Sequence, residues 1–190
     1  MKNNFIIIFI SFVVFFIIEK SSLANDLFFK TNEITTSNNG NIIIATKGTA
    51  ESTANKIIIN AEKFKYDKIS SILIADFGIA NLLEENITIK ADSFVYNEVL
   101  STINVTGNVT VNDLKKKILI QTENIHYNYL NKFFEADQKT VTKDSLGNII
   151  YSDSFIYTLK DSLIKIEQGR IVTTDKSIHT VKKAYINTLS

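Results

Sequence analysis

Two histidines, His126 and His179, are the only imidazoles in this chain, and it contains no cysteine. Disulfides, thiolate metal sites and a lipid-modified cysteine are therefore excluded. No nucleophile elbow, paired-histidine metal motif or phosphate-cradling glycine loop is present. Serines and aspartates are plentiful, but Asp92 and Asp153 occupy the same corner of a recurring phrase. Recurrence at a corner points to turn chemistry, not catalysis. His126 falls where other copies of the phrase carry Lys65, Val95 or Ile156, which predicts an outward strand position. The Asn-x-Thr triplets at Asn86, Asn104 and Asn108 are frequent by chance in so asparagine-rich a chain. The expectation is a non-enzymatic protein with no cofactor, no catalytic residues and no metal.

What the chain does concentrate is aliphatic and aromatic side chains at alternate positions. Their chemistry is apolar burial, against one another or against a fatty ligand, at roughly 25 cal/mol per Å². The inward set read from the alternation is Ile57, Ile59, Phe64, Tyr66, Leu73, Ile87, Ile89, Phe94, Tyr96, Ile103, Val105, Ile118, Ile120, Ile125, Tyr127, Phe134, Phe155 and Tyr157, joined by Val109, Val111, Tyr151, Ile164 and Ile166. A roll left open along one side would present these residues as a continuous trough for acyl chains; a closed one would use them as core.

The elements that must position this set repeat about every thirty residues, with clear copies at Ile57–Asp67, Ile87–Asn97, Ile118–Asn128 and Ile149–Thr158. Self-similarity at a fixed period means one supersecondary unit stacked on itself, and the two-residue alternation makes that unit β. In the second copy Ile87, Ile89 and Ala91 share a face, and the step from Ala91 to Phe94 would flip it. The chain must bend or bulge there to keep both apolar sets inside. Asn38-Asn39-Gly40-Asn41 and Leu146-Gly147-Asn148 are hairpin-grade turns. No segment after residue 24 sustains a 3.6-residue apolar period. The fold class expected is all-β, a repeat-built, half-open antiparallel jelly roll, with a parallel β-solenoid as the alternative.

The first 24 residues read as a cleavable secretory signal, with Lys2, an apolar run over 5–18 and small residues at Ser22 and Ala24. As a helix that run reaches roughly 21 Å, short of the roughly 30 Å hydrocarbon core. Residues 25–40 are then an N-terminal extension, and 41–190 the repeat domain, its last copy at 178–186 degenerate as terminal caps are. Removing 1–24 leaves equal numbers of basic and acidic residues. A neutral exported protein has no overall field to attract nucleic acid. Lys115-Lys116-Lys117 and Lys182-Lys183 read as solvated turns or strand edges.

The strings AEKFKYD at 61–67, ADSFVYN at 91–97, NVTGNVTV at 104–111 and DSLGNIIYSDS at 144–154 resemble the OstA-type repeat of the lipopolysaccharide transport proteins LptA, LptC and LptD. The likeness covers roughly Asn41 to Ile186. Its close, LKDSLIKIEQG at 159–169 and KKAY at 182–185, is most similar to a periplasmic LptD N-terminal domain, though without the barrel that follows there. The resemblance implies a β-taco that shelters lipid A acyl chains in the periplasm and passes lipopolysaccharide towards the outer membrane. It implies edge-strand addition to other proteins of that kind, and for a receiver role an outer-membrane barrel as partner. The other class of reading is a structural exported β-solenoid, an adhesin or fibre segment that carries no lipid.

Overall fold

A computed structural model describes residues 27–188 of the chain, so the signal-like segment lies outside the described residues. The connections dictate the architecture. The commonest is a four-residue turn whose last residue has positive φ, as at Lys56, Ser71, Asn86, Ser101, Lys117, Lys132 and Ser162. Many turns open on an Asx side chain that holds them: Asp67 Oδ1 accepts the Ile69 and Ser70 amides, Asn97 Oδ1 that of Leu100, and Asn128 Oδ1 that of Asn131. The Tyr-Asn/Asp ending of the repeated phrase is thus an apolar inward residue followed by a turn initiator. Connections this short allow only antiparallel neighbours.

Twelve strands result: β1 Leu27–Ser37, β2 Ile42–Ser52, β3 Ile57–Asp67, β4 Ile72–Leu82, β5 Ile87–Asn97, β6 Thr102–Asp113, β7 Ile118–Asn128, β8 Phe133–Ala136, β9 Thr140–Lys143, β10 Ile149–Thr158, β11 Leu163–Val172 and β12 Ile178–Asn187. They form one sheet in chain order, with β8 and β9 together filling the place between β7 and β10. Every pairing is antiparallel, which overturns the parallel-solenoid alternative. Leu27–Ser37, expected as an extension outside the repeat, is the first strand of this same sheet. Its polar composition hid it, because an edge strand has less surface to bury.

Near its middle each long strand breaks parity. The β3–β4 ladder passes from Ala61↔Gly78 to Lys63↔Asp76 without a pair between, and β5–β6 shifts register between Lys90 and Ser93. On β2, β4 and β11 the break is a residue with positive φ beside a glycine, Lys47 before Gly48, Phe77 before Gly78 and Gln168 before Gly169. A Cβ on Gly78 would stand 2.3 Å from the Asn60 carbonyl oxygen, so only glycine admits the neighbouring strand.

These breaks line up across the ladders, and the sheet folds over along them. Ser52 ends β2 and Tyr96 lies near the opposite end of β5, yet their hydroxyls are 3.1 Å apart. The two halves of the sheet therefore face each other, and the apolar side chains of both meet between them. Phe94, Phe134, Phe155, Tyr127 and Tyr157 are wholly buried there, with Tyr127 stacked on Phe134 at 4.5 Å between centroids. Each such side chain contributes roughly 1.5–3 kcal/mol by leaving water.

Tyr151, expected inward, points out and lies under the Arg170 guanidinium, which is 4.6 Å from its ring centroid. Ile150 and Ser152 take the inward places instead. Counting back from Tyr157, the fourth copy is one residue short, and one residue reverses every face.

Candidate functional site

Apart from Tyr151, the inward residues named from the sequence, from Ile57 through Tyr157, lie on both walls of the folded sheet, and none exceeds 3% exposure. Val109, Val111, Ile164 and Ile166 join them. They touch one another across the interior and do not border an open trough, so the expected unsealed furrow is a filled core in this structure. The physical reason is size: aromatic rings at 64, 66, 94, 96, 127, 134, 155 and 157 span the space between two walls that fold tightly at their glycines.

Opposite the fold line, the sheet is closed by two rows of turns. One row comprises 38–41, 68–71, 98–101, 129–132 and 159–162; the other comprises 53–56, 83–86, 114–117, 145–148 and 173–177. Backbone hydrogen bonds link successive turns within a row, as from Glu98 N to Ser71 O and from Leu114 N to Asn86 O. Among the described residues, the contacts between the rows are made by side chains. Asn55 donates to Tyr96, Tyr129 donates to Glu84 Oε2 at 3.0 Å, and Lys132 reaches Glu84 at 3.1 Å and Glu85 at 2.8 Å. Lys116 Nζ donates to the Leu159 carbonyl at 2.7 Å.

The repeated tyrosine meets this seam at its hydroxyl end. Tyr96 donates to Ser52, and Tyr157 donates to Asp113 Oδ2 at 2.7 Å. Tyr66 donates along its own row to Glu98 at 2.7 Å. The hydroxyl of Tyr127 is buried without a hydrogen-bond partner, as is Glu85 Oε2. Burial raises the phenol pKa of all four, and the facing carboxylates of Glu98 and Asp113 raise Tyr66 and Tyr157 further. All four stay protonated in the physiological range, so Tyr66, Tyr96 and Tyr157 act as fixed donors.

Electrostatics tighten the seam locally. Hydrogen bonds from Lys56, Lys132 and Tyr129 hold the Glu84 carboxyl down at about 2. The Glu85 and Glu84 carboxylates raise the Lys132 ammonium above the usual lysine range. Burial lowers Lys116. The seam is also lined with grease: Ile69, Leu83, Val99, Leu100, Leu114, Leu130 and Leu146 are all exposed on these turns.

Sequence reasoning missed the seam. Glu84, Glu85, Tyr129 and Lys132 lie outside the strand phrases, and Lys115–Lys117 read as a solvated turn. The available signal was the aliphatic residue recurring in successive turns, where polar residues are the norm. His126 is outward as the phrase predicts, with Nδ1 2.7 Å from Asn104 Oδ1. Asp92 sits at the bend, accepting from Asn108 Nδ2 at 2.7 Å. Among the described residues no group of three or more histidines, cysteines or carboxylates is placed to hold a metal ion.

A scan against protein-family models and a search of curated proteins each returned no match to this sequence.

Proposed function

We propose that this chain is a lipid-sheltering β-taco of the lipopolysaccharide transport type, exported to the periplasm. In this reading it covers acyl chains between its two walls and hands them on towards the outer membrane. The observation that carries the reading is the seam: one long side of an apolar sleeve is held by side chains alone and bordered by exposed aliphatic residues. Parting the rows of turns breaks no ladder hydrogen bond, so the sleeve can open along its length while each wall stays intact. The core aromatic and aliphatic residues would then exchange contact with each other for contact with acyl chains, a trade of one apolar surface for another.

In this reading direction comes from outside, as the sequence carries no phosphate-cradling glycine loop. β1 and β12 each pair on one side only among the described residues. They supply free edges for strand addition to similar proteins or, for a receiver, to a barrel partner. The chain serves as a bridge or as a receiver in such a series.

One observation favours a second reading, that of a structural exported scaffold. The interior is packed from Ile57 to Ile166 with exposures of 5% or less among its buried apolar residues. A single experiment separates the two. The cysteine-free chain allows cysteines at Glu85 and Lys132, which face each other across the seam at 2.8 Å between their charged atoms. A short bis-maleimide would lock the rows together. Photo-crosslinking to lipopolysaccharide from probes at Phe94 or Ile120 is expected in the unlocked chain and lost in the locked one. No adduct in either state would leave the scaffold.

A further inference from the structure

The seam holds a cavity of about 440 Å³ lined by Glu84, Glu85, Asp113, Lys115, Lys116, Lys132 and Lys160, with Ile87, Leu130 and Leu159 among its apolar walls. On paper its charges nearly cancel. Their pairing does not. Glu84 is taken by Lys56, Lys132 and Tyr129, and Glu85 by Lys132. Asp113 accepts from the Tyr157 hydroxyl and from the Lys116 amide. All three carboxylates are thus engaged within the protein.

The remaining cations, Lys115, Lys116 and Lys160, make no ion pair among the described residues. Lys116 is the most constrained of them. Its ammonium donates to the neutral Leu159 carbonyl and stands 5.3 Å from the Tyr157 ring centroid, half withdrawn from water. The Asp113 carboxylate acts on this ammonium without an ion pair to it, so a partly desolvated cation held by a carbonyl and a ring gains from an additional anionic oxygen. Burial presses its pKa down, and the neighbouring Lys115 ammonium adds to that, against the opposing pull of the Asp113 carboxylate.

We propose that this cavity binds the phosphate head of an acyl amphiphile, through Lys115, Lys116 and Lys160, with Leu130 and Leu159 against the start of its chain. Phosphate suits three point-charge ammoniums converging from two turns, because its oxygens are accepted without a fixed planar geometry. The position also suits the load. The cavity sits where the rows meet, so a head group held there leaves its chain at the line along which the sleeve parts. This inference rests on the lipid-sheltering reading and specifies where the charged part of the passenger is held.

The test uses the described domain as part of the full chain, titrated with dodecyl phosphate, with uncharged dodecyl maltoside and with inorganic phosphate, all below micelle-forming concentration. The parent is expected to bind dodecyl phosphate about tenfold more tightly than dodecyl maltoside, from a few partly desolvated ion pairs. Combined Lys115→Gln, Lys116→Gln and Lys160→Gln should erase that preference and keep maltoside binding. A control with Lys63→Gln, Lys65→Gln and Lys90→Gln, on exposed strand positions, should keep the preference. Preference retained in the cavity variant, or lost equally in the control, overturns the site while leaving lipid sheltering intact. Binding of inorganic phosphate as tight as dodecyl phosphate overturns the amphiphile in favour of free phosphate. A parent that binds neither amphiphile overturns both the site and the reading beneath it.

Discussion

The hydroxyl of Tyr157, near the end of β10, lies 2.7 Å from Asp113 Oδ2 at the end of β6, although these two strands are not neighbours in the sheet. Forty-four residues separate them, the same interval that separates Tyr96 from Ser52. A phenol at one end of a strand thus ties down the far end of a strand in the opposite wall, in the second and fourth copies of the phrase.

Tyr157→Phe should be costly for its size. Asp113 is 2% exposed and would lose its phenolic donor while remaining buried. The expected loss is about 1–3 kcal/mol, read as a lower urea midpoint at unchanged slope. Tyr96→Phe should cost less, because Ser52 also accepts from the Asn55 amide and is neutral.

Acid should loosen the seam before it unfolds the walls. The Glu84 carboxyl is held at about 2, below its ordinary 4.5. A depressed carboxylate adds stability that is complete above its unfolded pKa and lost as pH falls through its folded one. The contribution therefore disappears from about 4.5 down to about 2. The difference in urea midpoint between the parent and Glu84→Gln should vanish across that window, while far-ultraviolet dichroism of the parent holds steady.

Lys132→Met removes the cation shared by Glu84 and Glu85. Glu85 has a side chain only 7% exposed and already keeps one oxygen unpartnered. The variant should lose about 1–3 kcal/mol, reduced from the fully buried case because Lys132 is itself 39% exposed. Adding Glu85→Gln should restore part of the loss, and a double-mutant cycle measures it.

Two neighbours at the bend should respond in opposite directions. Phe77 adopts φ 53 with its ring 62% exposed, a conformation that costs a bulky residue about 1–2 kcal/mol. Phe77→Asn is expected to raise the thermal midpoint. Gly78→Ala drives a Cβ to 2.3 Å from the Asn60 oxygen and should cost about 1–3 kcal/mol.

The packed walls make their own prediction. Ile89 is fully buried at the middle of the sheet, and Tyr96 is 1% exposed. Replacing both with Asp places unpaired charge in the core and should abolish cooperative unfolding. A double variant that melts like the parent would overturn the assignment of the inward face.

Local alternation was enough to mark which side chains face inward, because in a strand successive residues must alternate and the phrase recurs often enough to show its parity break. It placed Ile87, Phe94 and Tyr96 on one face, and predicted the bend beside Asp92 and the turn at Asn38–Asn41. A one-residue deletion defeated it at Tyr151, and a polar edge defeated it at β1. Whether the roll stands open, and what closes it, could not be read from the strands. That outcome rests on residues about fifty apart in sequence, such as Lys132 with Glu84 and Glu85, whose meeting depends on how sharply the sheet folds at its glycines. Periodicity records a residue's face; only the folded sheet brings one row of turns against the other.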